Sequence, residues 1–236
     1  MKHKYYEKGD IVTDGEPVIV NRYTVGARIN HWIAAGSMIL LALTGLAMYW
    51  PPLFFIAHLF GGGQVIRAIH PFIGVVMVLS FAGLFFRFWR LNIWENSDLK
   101  WAMQVHDVLG NHEENLPEIG KYNFGQKCIF WAMSMGLIIL IVSGFMVWQA
   151  YFAQYFSIEL QRYALLAHSL MAVIIIAIWI FHMYAVYWIR GSLGAMIKGK
   201  VTGGFAWQHH RKWYRAIIAN KDLIKEPEEQ NKTTKK

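Results

Sequence analysis

Four long apolar stretches, set apart by polar or short uncharged links, frame this chain. They run from about Ile29 to Trp50, Val65 to Trp89, Cys128 to Ala153 and Arg162 to Ile189. At a helical rise of about 1.5 Å per residue, each is long enough to cross a hydrocarbon layer about 30 Å thick. Lipid offers no partner to a free backbone amide, and four spans are too few to close a barrel, so all four are predicted to be helices. The pattern predicts an all-α fold: an integral-membrane four-helix bundle spanning residues 29–189.

The polar remainder divides into an arm (residues 1–28), a link (about 90–124) and a C-terminal extension (190–236). The arm has no apolar core and no small-residue cleavage site, so the first span is expected to serve as an uncleaved signal anchor. The link holds Trp94, Trp101, His106, His112 and Pro117, a mixture of aromatic and polar residues that predicts short interfacial helix. His209 to Arg215 reads as a basic interfacial helix, and residues 226–236 are expected to be disordered.

Charge orients the spans. The net charge is +8, and the links Pro51 to Gln64 and Gln154 to Gln161 contain no Lys or Arg. The arm holds Lys2, Lys4, Lys8, Arg22 and Arg28, the long link Arg90, Lys100 and Lys121, and the chain after Ile189 eleven Lys or Arg. The positive-inside rule therefore places both termini and the long link in the cytoplasm. Membrane topology accounts for this basicity, so nucleic-acid binding is not expected. Cys128 is the only cysteine, which excludes disulfides, a covalent C-x-x-C-H haem site and a cysteine-ligated iron–sulfur cluster within the chain.

The chemistry lies in the spans. Tyr163 to Ile189 is 27 residues without Asp, Glu, Lys or Arg, yet it holds His168 and His182, 14 residues apart. Fourteen helical steps cover roughly 21 Å and end roughly 40° short of full turns, so both imidazoles leave one face at two depths. By depth, His70 near the start of the second span pairs with His168 on the outer side. His31 near the start of the first span pairs with His182 on the inner side. Two imidazoles on opposing helices at one level are the ligand set of a six-coordinate b-type haem, and ionisable groups inside spans are usually functional. A closed zinc site needs more ligands than either level supplies. Gly36, Gly45, Gly74 and Gly144 leave room beside a flat macrocycle or serve close helix packing. Arg22, Arg28, Arg67, Arg87, Arg162 and Arg190 flank the membrane as snorkelling anchors or as partners of haem propionates. His3, His58, His106, His112, His209 and His210 read as solvated or interfacial. The competing reading is a haem-free anchor whose histidines bond between helices.

Electrons entering a two-haem stack need an exit. Asn123-Phe124-Gly125-Gln126-Lys127 precedes the third span on the inner side. Its amides are donors suited to a quinone carbonyl, and its glycine admits a ring to the backbone; the same residues also suit a helix cap.

Arg28-Ile-Asn-His31-Trp32, Ile69-His70-Pro71, Tyr122-Asn123-Phe124-Gly125-Gln126-Lys127 and the pair His168 and His182 together resemble the gamma subunit of respiratory formate dehydrogenase, over about Arg22 to Lys221. The resemblance implies two haem b groups, on His70 and His168 near the periplasm and on His31 and His182 near the cytoplasm. It implies menaquinone reduction near Asn123, Gly125, Gln126 and His182. Implied partners are a periplasmic molybdenum- or tungsten-containing alpha subunit and an iron–sulfur beta subunit in a bacterial inner-membrane respiratory complex, with a higher oligomer open. Cytochromes b of hydrogenases and of thiosulfate or polysulfide reductases share the histidine set and are the alternative.

Overall fold

The computed structural model describes residues 4–7, 9–109, 116–189 and 191–225. The expectations placed on Lys2, His3, Lys8, His112, Arg190 and residues 226–236 lie outside the described residues. In chain order come β1 (Val12–Thr13), β2 (Ile19–Asn21), α1 (Val25–Tyr49), a 3-10 segment Pro51–Phe60, α2 (Gly63–Phe88), α3 (Asn96–Met103), α4 (Val105–Leu109), α5 (Phe124–Val147) and α6 (Ile158–Trp188). After these come α7 (Ser192–Lys198), β3 (Lys200–Thr202), α8 (Gly203–His209), α9 (Arg211–Ile218) and β4 (Ile224–Lys225).

The four predicted spans are helices α1, α2, α5 and α6, each long and apolar enough to cross a membrane. Only 11–28% of their most apolar windows is buried within the protein. Helices that apolar yet so little covered by their own chain fit a lipid surroundings rather than a soluble core. Three of the four starts, those of α1, α5 and α6, carry side-chain caps. Thr24 Oγ1 accepts from the Ala27 N–H at 3.4 Å and Ser157 Oγ from the Leu160 N–H at 3.3 Å. At α5 the caps are reciprocal: Asn123 Oδ1 accepts from the Gln126 N–H (2.9 Å) and Gln126 Oε1 from the Asn123 N–H (3.0 Å). The third helix ends at Val147, short of the predicted Ala153, because the chain turns there into a cluster in which Trp148, Tyr151 and Phe152 pack on one another.

The described residues cluster into two compact units. Ile29–Arg87 and Ile129–Ala185 form the membrane unit. Within it, Asn30 pins α1 to α2: its Nδ2 donates to the Ser80 carbonyl (2.8 Å), and Ser80 Oγ donates to Asn30 Oδ1 (2.6 Å). A Cβ on Gly83 would come within 2.8 Å of Asn30 Nδ2, so the bare backbone there permits the approach. Gly136 does the same for α5 against α6, where a Cβ would meet Ile175 Cδ1 at 2.3 Å. Phe85 on α2 stacks on Phe130 of α5 with centroids 5.5 Å apart.

The polar unit gathers the arm, the link and the extension, from residues up to Arg28, Phe88–Cys128 and Val186 onward. It adds β structure that the span pattern does not predict: a four-stranded sheet ordered β3-β2-β1-β4. β1 pairs antiparallel with β2 and parallel with β4, and β2 pairs antiparallel with β3. Val12, Val20, Val201, Ala206, Trp213, Ile217 and Leu223 form its core. The basic stretch from His209 is therefore not a helix lying free at an interface. Trp213 and Ile217 on α9 are fully buried, because their apolar face is taken by the sheet core. Beside that core lies a buried charge cluster. Lys121 Nζ, with no exposed surface, contacts Asp10 Oδ1 at 2.6 Å and Glu7 Oε2 at 2.9 Å. Trp213 Nε1 donates to Asp10 Oδ2 (2.9 Å), and Arg22 donates to the Lys121 carbonyl (2.7 Å) while its guanidinium lies 5.1 Å from the Trp213 ring centroid.

Candidate functional site

The outer histidine pair meets. The His70 ring on α2 and the His168 ring on α6 have centroids 6.4 Å apart, with planes at 66°. Two metal–imidazole bonds of about 2 Å on opposite sides of one ion, plus about 1.1 Å from each nitrogen to its ring centre, give about 6.2 Å. The spacing fits one axially ligated iron. Each ring is fixed at its other nitrogen. His70 Nδ1 lies 2.7 Å from Thr44 Oγ1, and His168 Nδ1 lies 3.0 Å from Ser143 Oγ. The glycines that follow these hydroxyl residues touch the same rings: a Cβ on Gly45 would meet His70 Cε1, and one on Gly144 His168 Cε1, each at 3.3 Å. Gly36 and Gly74, by contrast, meet no protein atom within 4 Å, so their missing side chains serve no packing contact among the described residues.

The inner pair sits on α1 and α6, with His182 an electrostatic neighbour of His31. His31 Nδ1 is buried without a hydrogen-bond partner among the described residues, and its ring packs edge-on to Trp32 at 5.6 Å. A buried imidazole nitrogen left unpaired is costly and uncommon. Two imidazole donors on apolar helices, with no thiolate or carboxylate, suit haem iron rather than zinc. No group of three or more His, Cys, Asp or Glu able to hold a bare metal ion occurs among the described residues.

The polar unit contains a narrow cleft of about 30 Å³. Asn123, Gln126, Trp101, Phe205, His209 and His210 are among its walls. The reciprocal cap uses the side-chain oxygens of Asn123 and Gln126, which leaves their NH₂ groups as donors. The cap reading and the quinone reading are thus compatible: one end of each amide caps α5 and the other is available to a ligand. Lys127 holds this turn in place, its Nζ donating to Asp98 Oδ2 (2.7 Å) and to the Ile93 carbonyl (2.9 Å). Gly125 lies in the same turn but is not a wall of the cleft; a Cβ there would meet only Asn123 Oδ1, at an ordinary 3.6 Å. His182 belongs to the membrane unit.

His210, read from the sequence as solvated, is 2% exposed and lines the cleft. Its Nδ1 donates to the Gly120 carbonyl at 2.9 Å. Burial, followed by the nearby Arg22 guanidinium, pushes its pKa well below the usual imidazole value, so it is neutral at pH 7. The sequence hint was its place between a second histidine and the aromatic, basic run that becomes α9. Of the other non-span histidines in view, His209 is a wall of the same cleft, His58 bonds the Phe55 carbonyl (3.2 Å), and the exposed His106 lies 3.4 Å from Asp107. Of the flanking arginines, Arg22 is buried in the Trp213 cluster and Arg28 donates to the Ile197 carbonyl.

Comparison with known proteins places the chain in a family. The family profile described as prokaryotic cytochrome b561 matches residues 22–199. The chain is 43% identical over 196 residues to the formate dehydrogenase cytochrome b556(fdo) subunit of Escherichia coli (strain K12), covering 83% of this chain and 92% of that one. It is 36% identical over 208 residues to the formate dehydrogenase cytochrome b556 subunit of Haemophilus influenzae, covering 87% of each. It is 37% identical over 190 residues to the cytochrome b556(Fdn) subunit of the nitrate-inducible Escherichia coli formate dehydrogenase, covering 80% of this chain and 88% of that one. The chain therefore belongs to the prokaryotic cytochrome b561 family and, within it, to the cytochrome b556 subunits of formate dehydrogenases, a membership that implies b-type haem.

Proposed function

We propose that this chain is the membrane anchor and electron conduit of a formate dehydrogenase complex. It holds two b haems, the outer between His70 and His168 and the inner between His31 and His182. It lies in the bacterial inner membrane with both termini cytoplasmic. Its partners are a molybdenum- or tungsten-containing catalytic subunit and an iron–sulfur subunit on the periplasmic side. The observation that carries this reading is the 6.4 Å centroid spacing of His70 and His168, set on helices from opposite halves of the chain. Similarity to formate dehydrogenase subunits along four-fifths or more of the chain favours formate over hydrogen or sulfur compounds as the electron source. Bound haem would supply one-electron carriers at two depths, linking the periplasmic clusters to a two-electron quinone.

The chain's own residues do the rest. The imidazoles supply the axial nitrogens. The Asn123 and Gln126 amides donate to a menaquinone carbonyl at the entry to α5, where the cleft of the polar unit opens, and water there supplies protons for reduction. No site for formate itself is assigned to this subunit. Adding formate to the purified complex should bring up the bands of reduced b-type haem, and a menaquinone analogue should then reoxidise the haem. Co-purification with a nickel–iron hydrogenase, or formate addition with no change in the b-type bands, overturns the proposal.

A further inference from the structure

The two hydroxyls beside the outer histidines occupy equivalent places. Thr44 is the twentieth residue of α1 and Ser143 the twentieth residue of α5. Each is followed by a glycine that touches the same imidazole its hydroxyl bonds. Each partner histidine lies on the next membrane helix, 26 residues on for Thr44 and 25 for Ser143. A hydroxyl–glycine pair facing a histidine is therefore built twice, once in each helical hairpin. The inner ligands break the pattern, because both hairpins do not contribute them alike: His31 lies on α1 and His182 on α6.

Proton placement follows from the hydroxyls' own bonds. Thr44 Oγ1 donates to the Leu40 carbonyl (2.7 Å) and Ser143 Oγ to the Ile139 carbonyl (2.6 Å). A hydroxyl has one proton, so toward its histidine each can only accept. His70 and His168 must then carry their protons on Nδ1, which leaves both Nε2 lone pairs for iron. A hydrogen bond accepted from Nδ1–H also makes the imidazole a stronger donor. A stronger donor stabilises ferric over ferrous iron, so two such bonds lower the potential of that haem. Among the described residues no hydroxyl meets His31 Nδ1, so the hydroxyl–histidine bond of the outer pair is not repeated there.

We propose that Thr44 and Ser143 are paired positioning residues that lock the outer imidazoles as Nδ1–H tautomers and hold the outer haem at a lower potential, an asymmetry that favours electron flow inward. This rests on the assignment of the outer haem to His70 and His168. Gly45 and Gly144 complete the device by admitting the ring edges. The test is a redox titration of the purified complex followed in the haem absorption bands, with low-temperature EPR of the ferric state. Thr44→Val and Ser143→Ala should each move the outer component to a more positive potential and leave the inner component in place. Thr44→Ser should titrate like the native protein, and the double variant should shift further than either single. His70→Ala separates the two ideas: loss of one component upholds the haem assignment whatever Thr44 does. Unshifted potentials in both single variants, or equal shifts of both components, overturn the hydroxyl proposal alone. Loss of the outer haem in Thr44→Val with retention in Thr44→Ser supports it, since the ligand then fails for want of orientation. Loss in both counts against it.

Discussion

Lys121→Met tests the energetics of the polar unit. In the native protein the Lys121 ammonium is fully buried between Asp10, itself 1% exposed, and Glu7. Asp10 also accepts from the Glu7 N–H and the Trp213 indole, so its carboxylate is well bonded but depends on Lys121 for charge. Removing one partner of a buried ion pair leaves the other charge uncompensated, which costs about 3–5 kcal/mol. The contrast lies a short way off, where Lys212 and Lys4, 32% and 62% exposed, flank Glu95. Burial raises the Glu95 pKa and the hydrogen bonds from Lys212 and Lys4 outweigh it, leaving the pKa low, yet each pair is worth only about 0.2–1 kcal/mol in solvent. Hydrogen exchange of the α9 amides around Trp213 in the detergent-solubilised protein reads both. With exchange limited by the opening equilibrium, Lys121→Met should accelerate it roughly 200- to 5000-fold, and Lys212→Met less than about tenfold. Lys121→Met combined with Asp10→Asn should recover most of the loss. If Lys121→Met costs no more than Lys212→Met, the cluster does not hold the unit together.

Further outcomes follow from the same structure. Gln126→Glu keeps the oxygen that caps α5 but removes the NH₂ donor, so the KM for a soluble menaquinone analogue should rise roughly 2- to 13-fold, the worth of one hydrogen bond, without loss of haem; an unchanged KM removes Gln126 from the quinone site. His210 is held neutral by burial and by the positive surroundings of Arg22, His209 and Lys121, so its folded pKa lies below its unfolded value of about 6.5. The unfolded chain then binds the extra proton, and stability should be flat above about pH 6.5 and fall by up to about 1.4 kcal/mol per unit below it. Melting curves at pH 7.5 and 5.5 check this, and His210→Gln should flatten the difference. Gly136→Leu would drive a side chain into Ile175, seven residues from each of His168 and His182. Overpacking of this kind costs roughly 1–3 kcal/mol and should weaken retention of both haems, with Ile175→Ala restoring it; haem contents equal to native would show that α5 and α6 do not meet there.

The spans and the histidine set were legible because bilayer burial imposes long apolar runs, against which an imidazole stands out. The sheet was not legible. Its strands are two or three residues long, too short to show alternation, and β4 pairs with β1 from the far end of the chain. His210 reads as solvated because its burial depends on a carbonyl 90 residues away and on a core built from the two ends of the chain. Thr44 and Ser143 were passed over for a different reason. Hydroxyl residues inside helices commonly bond back to the carbonyl four residues earlier, as both do, and nothing local marks the histidine on the far side. The paired Thr-Gly and Ser-Gly at one helical position were the available sign.

The central claim is that imidazoles from three helices grip two haems at two depths. Haem content and reduced-minus-oxidised spectra of the four single variants His31→Ala, His70→Ala, His168→Ala and His182→Ala test it most directly. His70→Ala and His168→Ala should each lose one and the same spectral component, and His31→Ala and His182→Ala the other. Two components that persist in all four variants, or a native protein without b-type bands, would contradict it.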